Sequence, residues 1–168
     1  MASLRLRYDE FAPAGIPAHL TVLFPFIPST QLTETHLLEV EQIAAGFDAF
    51  DYSFETTGWF GEHVVWLAPA DPSPFLALIE AVTGAFPDYL PYEGQHAEVI
   101  PHLTLGHSRP LDELRHAERE AAASLPITDR ATAITLMTER LDTPGQWTRS
   151  ASFPLRDPSG AASSPTQH

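Results

Sequence analysis

The chain has 168 residues and no cysteine, which suits one domain, or two small lobes sharing one core, and excludes disulfide scaffolds and thiolate chemistry. Nine basic residues, all arginine, face 22 acidic ones, for a net charge of −13. This balance disfavours broad binding to nucleic acid or anionic lipid, although a few focused donors can still hold a small anion.

The first half of the chain predicts a strand, a helix and two further strands after a short amino-terminal strand. Alternation of leucine and arginine over 3–8 indicates that first short strand. The segment AHLTVLF predicts a strand over 18–24, and helical spacing predicts a helix over 30–45. Two more strands are expected over 50–56 and 63–68.

The second half repeats this order. The first half ends with a helix, whose start is predicted at Ser73 because Pro74 follows it. After it we expect a strand over 98–106, a helix over 111–125, and strands over 127–138 and 147–155. The matching order suggests an internal duplication with two lobes related by a pseudo-twofold axis. A coincidence of a common α+β order is the alternative on topology alone.

One tripeptide occurs at the same place in both halves. His19, Leu20 and Thr21 lie in IPAHLTVLF, and His102, Leu103 and Thr104 lie in VIPHLTLGH. From the composition, chance predicts only about 0.08 copies of His-Leu-Thr in the chain. A lone histidine on a strand is usually structural, but two in matched motifs indicate a shared function.

The spacing of each motif predicts which side chains point together. Residues i and i+2 of a strand share one face, so each histidine lies beside its threonine while the leucine points the other way. If a twofold axis relates the lobes, both pairs face one cleft. Two imidazoles can supply one base and one acid in a turnover, and hydroxyls can bind a phosphoryl oxygen without a metal. A cyclic nucleotide phosphate or a 2′–5′ phosphodiester fits this set.

Paired H-x-T motifs about half a chain apart resemble the 2H phosphoesterase superfamily, and the sequence is most similar to its 2′-5′ RNA ligase branch. The resemblance covers roughly residues 3–155. It implies an α+β fold of two duplicated β-α-β-β units, with antiparallel sheets around a central cleft. It implies catalytic roles for His19 and His102 and phosphate contacts from Thr21 and Thr104.

The resemblance also implies an activity class. Members hydrolyse 2′,3′-cyclic phosphates or related cyclic or 2′–5′ linked nucleotides, and some join RNA ends. A small cyclic phosphate suits the acidic chain better than a long RNA does, and the alternatives are a 2′-5′ RNA ligase or a nucleotide-binding module without turnover. A basic residue at the cleft would be His107, Arg109, Arg149 or none, and His96 is a candidate for the cleft mouth.

The remaining expectations concern partners and organisation. The substrate is expected to be a small nucleotide or an RNA end carrying a cyclic phosphate, with no metal or other cofactor, no extended nucleic-acid surface and no membrane contact. The chain is expected to act as a cytoplasmic monomer. The predicted domain spans 1–156, with lobe one over about 10–86, lobe two over about 98–155, and a flexible tail over 157–168.

Overall fold

The computed structural model describes residues 1–95 and 98–158. His96 and most of the tail predicted over 157–168 lie outside the described residues. Within that part of the chain, helices and strands form an α+β fold whose paired strands run antiparallel. The predicted fold class is therefore confirmed.

Four α-helices and six strands make up the regular structure of the described residues. The helices are α1 (Ala2–Tyr8), α2 (Glu34–Ala45), α3 (Ser73–Ala85) and α4 (Leu111–Ala122). The strands are β1 (Phe50–Phe60), β2 (Val64–Pro69), β3 (Leu103–His107), β4 (Ile127–Ala131), β5 (Ala133–Glu139) and β6 (Trp147–Pro154). Short 3-10 turns lie at Ala12–Ala14 and Pro91–Gly94.

The strands form two sheets that join the two halves of the sequence. The larger sheet has the order β3-β2-β1-β4, and β5 pairs with β6 in a separate ribbon. Two strands of the larger sheet come from each half of the chain. The pairing of β2 with β3 sets Trp66 opposite Thr104, so the second motif lies directly against a strand from the first half.

Two apolar cores hold these layers together. In the first, α1 and α4 cover the larger sheet, and Leu67, Leu105 and Leu114 are fully buried there. The second core packs α2 and α3 against β6 and includes the buried Val40 and Phe153. Both cores combine residues from both halves. The ranges given for the domain, its lobes and its tail stay predictions.

The strand predicted over 3–8 is wrong, since residues 2–8 form α1. The leucine–arginine alternation does not separate a buried face from an exposed one: Leu4 and Arg5 are both buried, whereas Leu6 is 59% exposed. Helical spacing explains this pattern, because it sets Arg5 one turn away from Asp9 and lets the two side chains pair inside the protein.

The strand predicted over 18–24 is also wrong. These residues have neither helix nor strand structure, and they run between the turn at Ala12–Ala14 and helix α2. Pro17, Pro25 and Pro28 flank or follow the segment, and proline cannot donate to a ladder of backbone hydrogen bonds. Several apolar residues of the segment, Leu20 and Val22 among them, are packed against the two cores instead.

Other predicted elements are present with shifted ends. Helix α2 begins at Glu34, because Thr33 accepts a hydrogen bond from the His36 backbone and caps it. The second predicted strand of the second half, over 127–138, is divided at Thr132 into β4 and β5, which belong to different sheets. Among the described residues, none of the helices combines the length and apolar character that crossing a membrane would need.

Candidate functional site

The second motif lies at the start of a sheet strand. His102 directly precedes β3, and Leu103 and Thr104 are its first two residues. Pairing with Leu67 and Trp66 of β2 fixes the backbone of both. Leu103 is buried in the first core, as the predicted alternation requires, while Thr104 is half-buried on the other face.

Aromatic rings enclose His102. The ring centroid of Phe60 lies 4.9 Å from that of His102, in an edge-to-face arrangement, and the centroid of Trp66 lies 5.9 Å away. The Trp66 ring itself lies across Gly58 of β1, where a Cβ atom would come within 2.3 Å of the ring. Glycine at this position therefore leaves room for the tryptophan that supports the histidine.

The first motif is placed by packing rather than by a strand. Leu20 contacts the first core, and Val22 contacts the second, so the segment runs across the boundary between the two. His19 lies between these anchored residues and Pro17. The predicted sharing of a face by His19 and Thr21 does not follow from strand geometry here, because the strand is missing.

The two histidines make the same local hydrogen bond. The Nδ1 atom of His19 lies 2.8 Å from the carbonyl oxygen of Pro17, and that of His102 lies 2.6 Å from the carbonyl oxygen of Ile100. A carbonyl oxygen only accepts, so Nδ1 carries the proton in both rings. In the neutral imidazoles, each Nε2 is therefore left with a lone pair.

The imidazole of His102 lies close enough to that of His19 to lower its pKa. Burial is the largest cause that lowers the pKa of His19, and the positive charges of Arg5 and His102 lower this pKa further. The Pro17 carbonyl and Asp9 raise it. Burial also lowers the pKa of His102, against its bond to Ile100. Although His19 keeps an exposed surface, the protein atoms around its ring favour the neutral form.

Tyr92 is a candidate site residue that the sequence analysis missed. Its hydroxyl is hydrogen-bonded to the side chain of Thr21. Burial raises the pKa of Tyr92, and the bond to Thr21 lowers it by a smaller amount. Its backbone N–H donates to the carbonyl of Phe24, 2.6 Å away, and its φ of 50° lies in the left-handed region. A non-glycine residue held there is sterically disfavoured and is often found at binding sites.

Arg5 is the second missed residue, and it is 4% exposed. Its guanidinium is paired with Asp9, and it also donates to the carbonyl oxygen of Pro17, the same oxygen that receives the Nδ1 proton of His19. These contacts were missed because a strand was predicted over 3–8. An arginine and an aspartate four residues apart, the spacing of ion pairs on a helix, indicate the pairing of Arg5 with Asp9 in the sequence.

Among the described residues, the other predicted candidates make none of these contacts. The His107 ring packs against Phe11 with 5.0 Å between centroids, and Arg109 and Arg149 are exposed. Over residues 1–95 and 98–158, no group of three or more histidine and carboxylate side chains is arranged to hold a metal ion. The contacts described above therefore centre on the two motifs, Arg5 and Tyr92.

Solved structures with a similar fold cover most of the chain. A Thermus thermophilus protein, TT0787, is 19% identical with a TM-score of 0.59, over 86% of this chain and 82% of that one. Escherichia coli LigT, crystallised with 3′-AMP, is 17% identical with a TM-score of 0.55, over 92% of each chain. At these identities the likeness establishes the fold. No curated protein matches the sequence.

The sequence itself identifies the family. A family model described as the 2′-5′ RNA ligase superfamily matches residues 1–143, which is well over half of the chain. This match confirms the resemblance carried by the paired His-Leu-Thr motifs, and the fold of the two solved relatives agrees with it. The chain therefore belongs to the 2′-5′ RNA ligase superfamily of 2H phosphoesterases.

Proposed function

We propose that this protein hydrolyses the 2′,3′-cyclic phosphate of a nucleotide or of an RNA end, with His19 and His102 as its acid–base pair. The observation that carries the proposal is the matched pair of Nδ1–carbonyl bonds on two imidazoles, of which His102 lies close enough to His19 to lower its pKa. Among the described residues, Nε2 of neither ring has a hydrogen-bond partner, so both nitrogens can exchange a proton. Two such nitrogens near one phosphate are what a metal-independent hydrolysis requires.

The reaction needs one proton removed and one proton delivered. The Nε2 atom of one neutral histidine takes a proton from water as the water oxygen forms a bond to phosphorus. The bond from phosphorus to one ribose oxygen breaks, and the other histidine, protonated at Nε2, gives its proton to that oxygen. The product is a nucleoside monophosphate, and each proton transfer contributes roughly 10²–10⁴ in rate.

The threonines complete the proposed site. The hydroxyls of Thr21 and Thr104 would donate to the non-bridging phosphate oxygens and stabilise the charge that develops there. Thr104 is held on β3 beside His102, and Thr21 is held by its bond to Tyr92. The complex of the relative LigT with 3′-AMP supports a nucleotide as the ligand class. The net charge of −13 favours a small substrate over a long polyanion.

The second candidate function is ligation of RNA ends through a 2′–5′ bond. The description of the matching family favours it. A gel assay with cleaved tRNA halves tests it: a joined product that depends on His19 and His102 would support ligation. Binding of a nucleotide without turnover is the third reading, and it would leave a cyclic phosphate unchanged.

The deciding experiment follows 2′,3′-cyclic AMP by chromatography with the wild-type protein and with His19→Gln and His102→Gln. We expect conversion to AMP by the wild type and a loss of about 10²–10⁴ in kcat in each variant. His63→Gln is the matched control, because His63 is exposed on the turn between β1 and β2, and it should keep full activity. An inactive wild type, or full activity in either motif variant, would overturn the proposal.

A further inference from the structure

A buried ion pair lies beside the first motif and takes no part in the chemistry proposed above. Arg5 and Asp9 are only 4% and 1% exposed. The Arg5 Nε donates to Asp9 Oδ2 at 3.0 Å, and an Nη atom donates to the same oxygen. The other Asp9 oxygen accepts from the backbone N–H of Phe11 at 3.0 Å, so the carboxylate is held on both sides.

The remaining guanidinium donor of Arg5 points at the backbone that precedes His19. Its Nη1 atom donates to the carbonyl oxygen of Pro17 and lies 3.3 Å from that of Ile16. The Pro17 oxygen also accepts from His19 Nδ1 at 2.8 Å. A continuous chain of hydrogen bonds therefore runs from Asp9 through Arg5 and one carbonyl to the imidazole.

The two motifs differ in what fixes their backbones. The chain after His102 is held by the ladder between β2 and β3. For residues 16–23, no backbone-to-backbone hydrogen bond to another described residue is present, and none of them belongs to a strand. The carbonyl that orients His19 therefore depends on a side-chain donor, whereas the carbonyl that orients His102 lies just before a strand held in the sheet.

We infer that Arg5, clamped by Asp9, is a positioning residue that holds the Pro17 carbonyl and thereby fixes the ring orientation of His19. The Arg5–Asp9 pair holds the backbone of the first motif, whereas the pairing of β2 with β3 holds the backbone of the second. The functional part of this inference rests on the proposed function, because it makes Arg5 necessary for turnover only if His19 is catalytic. The structural part concerns the ring alone and holds with or without turnover.

A purely structural ion pair is the competing explanation. Buried ion pairs often add little net stability, because the desolvation of both charges offsets their attraction. Loss of stability alone would therefore not separate the two explanations. The tautomer of His19 separates the two explanations, because a ring that loses its fixed acceptor is no longer restricted to the form protonated at Nδ1.

Long-range ¹H–¹⁵N NMR of the imidazole nitrogens, in the absence of substrate, measures this tautomer directly. In the wild type we expect both His19 and His102 to carry the proton on Nδ1. In Arg5→Lys, a single ammonium cannot reproduce the fork between Asp9 and the two carbonyls, so His19 should become a mixture of tautomers while His102 stays unchanged. Arg7→Lys, on the same helix but paired with Glu120 at the surface, should change neither ring.

A second variant removes both buried charges and guards against failure to fold. Arg5→Met with Asp9→Asn keeps the side-chain volumes similar and leaves an oxygen to accept from Phe11. It should give the same tautomer mixture at His19, and with 2′,3′-cyclic AMP it should lower kcat about 10²-fold with KM nearly unchanged. A His19 ring that keeps its Nδ1 proton in either folded variant would overturn the inference. Inactivity of the wild type would overturn the proposed function but leave the tautomer result standing.

Discussion

His19 and His102 are bonded through Nδ1 to the carbonyl oxygen two residues earlier in the chain, at Pro17 and Ile100. The repeated tripeptide thus extends into a repeated contact, although one motif leads into a strand and the other does not. Within the described parts of the chain, neither Nε2 atom has a hydrogen-bond partner. This equivalence is the structural basis for treating the pair as one acid and one base.

The pH dependence of activity follows from the lowered pKa values of the pair. Burial favours the neutral ring at both His19 and His102, so each loses its proton at a lower pH than an ordinary histidine. Turnover needs one protonated and one neutral ring, so kcat/KM should be bell-shaped with its maximum below the ordinary imidazole pKa of about 6.5. Initial rates across the pH range check this. A maximum on the alkaline side of that value would contradict it.

The same shifts predict how stability depends on pH. A histidine whose folded pKa is lowered binds more protons when unfolded, so the free energy of unfolding rises with pH between the folded pKa and about 6.5. The double variant His19→Gln, His102→Gln should lose part of that rise. Urea unfolding at pH about 5 and about 7.5 measures the difference for both proteins. Equal pH dependence in the two would mean that neither imidazole is shifted.

Removing either motif hydroxyl should weaken catalysis while leaving the fold intact. Thr21→Val and Thr104→Val keep the shape of the side chain but lose the donor, and we expect kcat/KM for 2′,3′-cyclic AMP to fall about 10–10²-fold. Thr83→Val is the matched control. Its hydroxyl bonds to carbonyls of its own helix, at Ile79 and Glu80, and the variant should retain full activity. Undiminished activity in both motif variants would remove the threonines from the proposed site.

A glycine far from either motif in sequence should also affect the site. Gly58→Ala would place a Cβ atom within 2.3 Å of the Trp66 ring, forcing the ring that packs against His102 to move. We expect both a lower melting temperature and a lower kcat. Gly84→Ala is the matched control. Apart from its chain neighbours and the backbone of its own helix α3, no described atom lies within 4 Å of the new Cβ, so the variant should stabilise the protein by up to about 1 kcal/mol. Unchanged activity in Gly58→Ala would show that Trp66 does not support His102.

The sequence was sufficient to find the fold class, the family and the two motifs. The repeated tripeptide gave this information, because His19 and His102 are identified by the matching sequence around each motif and not by the residues that contact them in the fold. Arg5 was missed although its helical spacing to Asp9 is visible in the sequence, because the alternation of leucine and arginine favours a strand over the same residues. Tyr92 was missed for a different reason: its contact with Thr21 joins distant segments and has no local pattern.

The proposed hydrolysis requires His19 and His102 to act on one phosphate. Titration of the ¹⁵N-labelled protein with 2′-AMP, a product of the proposed hydrolysis, tests it most directly through the Nε2 resonances of the two rings. We expect both resonances to shift together along a single saturation curve, while His63 does not shift. A shift of only one motif histidine, or of neither at saturating nucleotide, would contradict it.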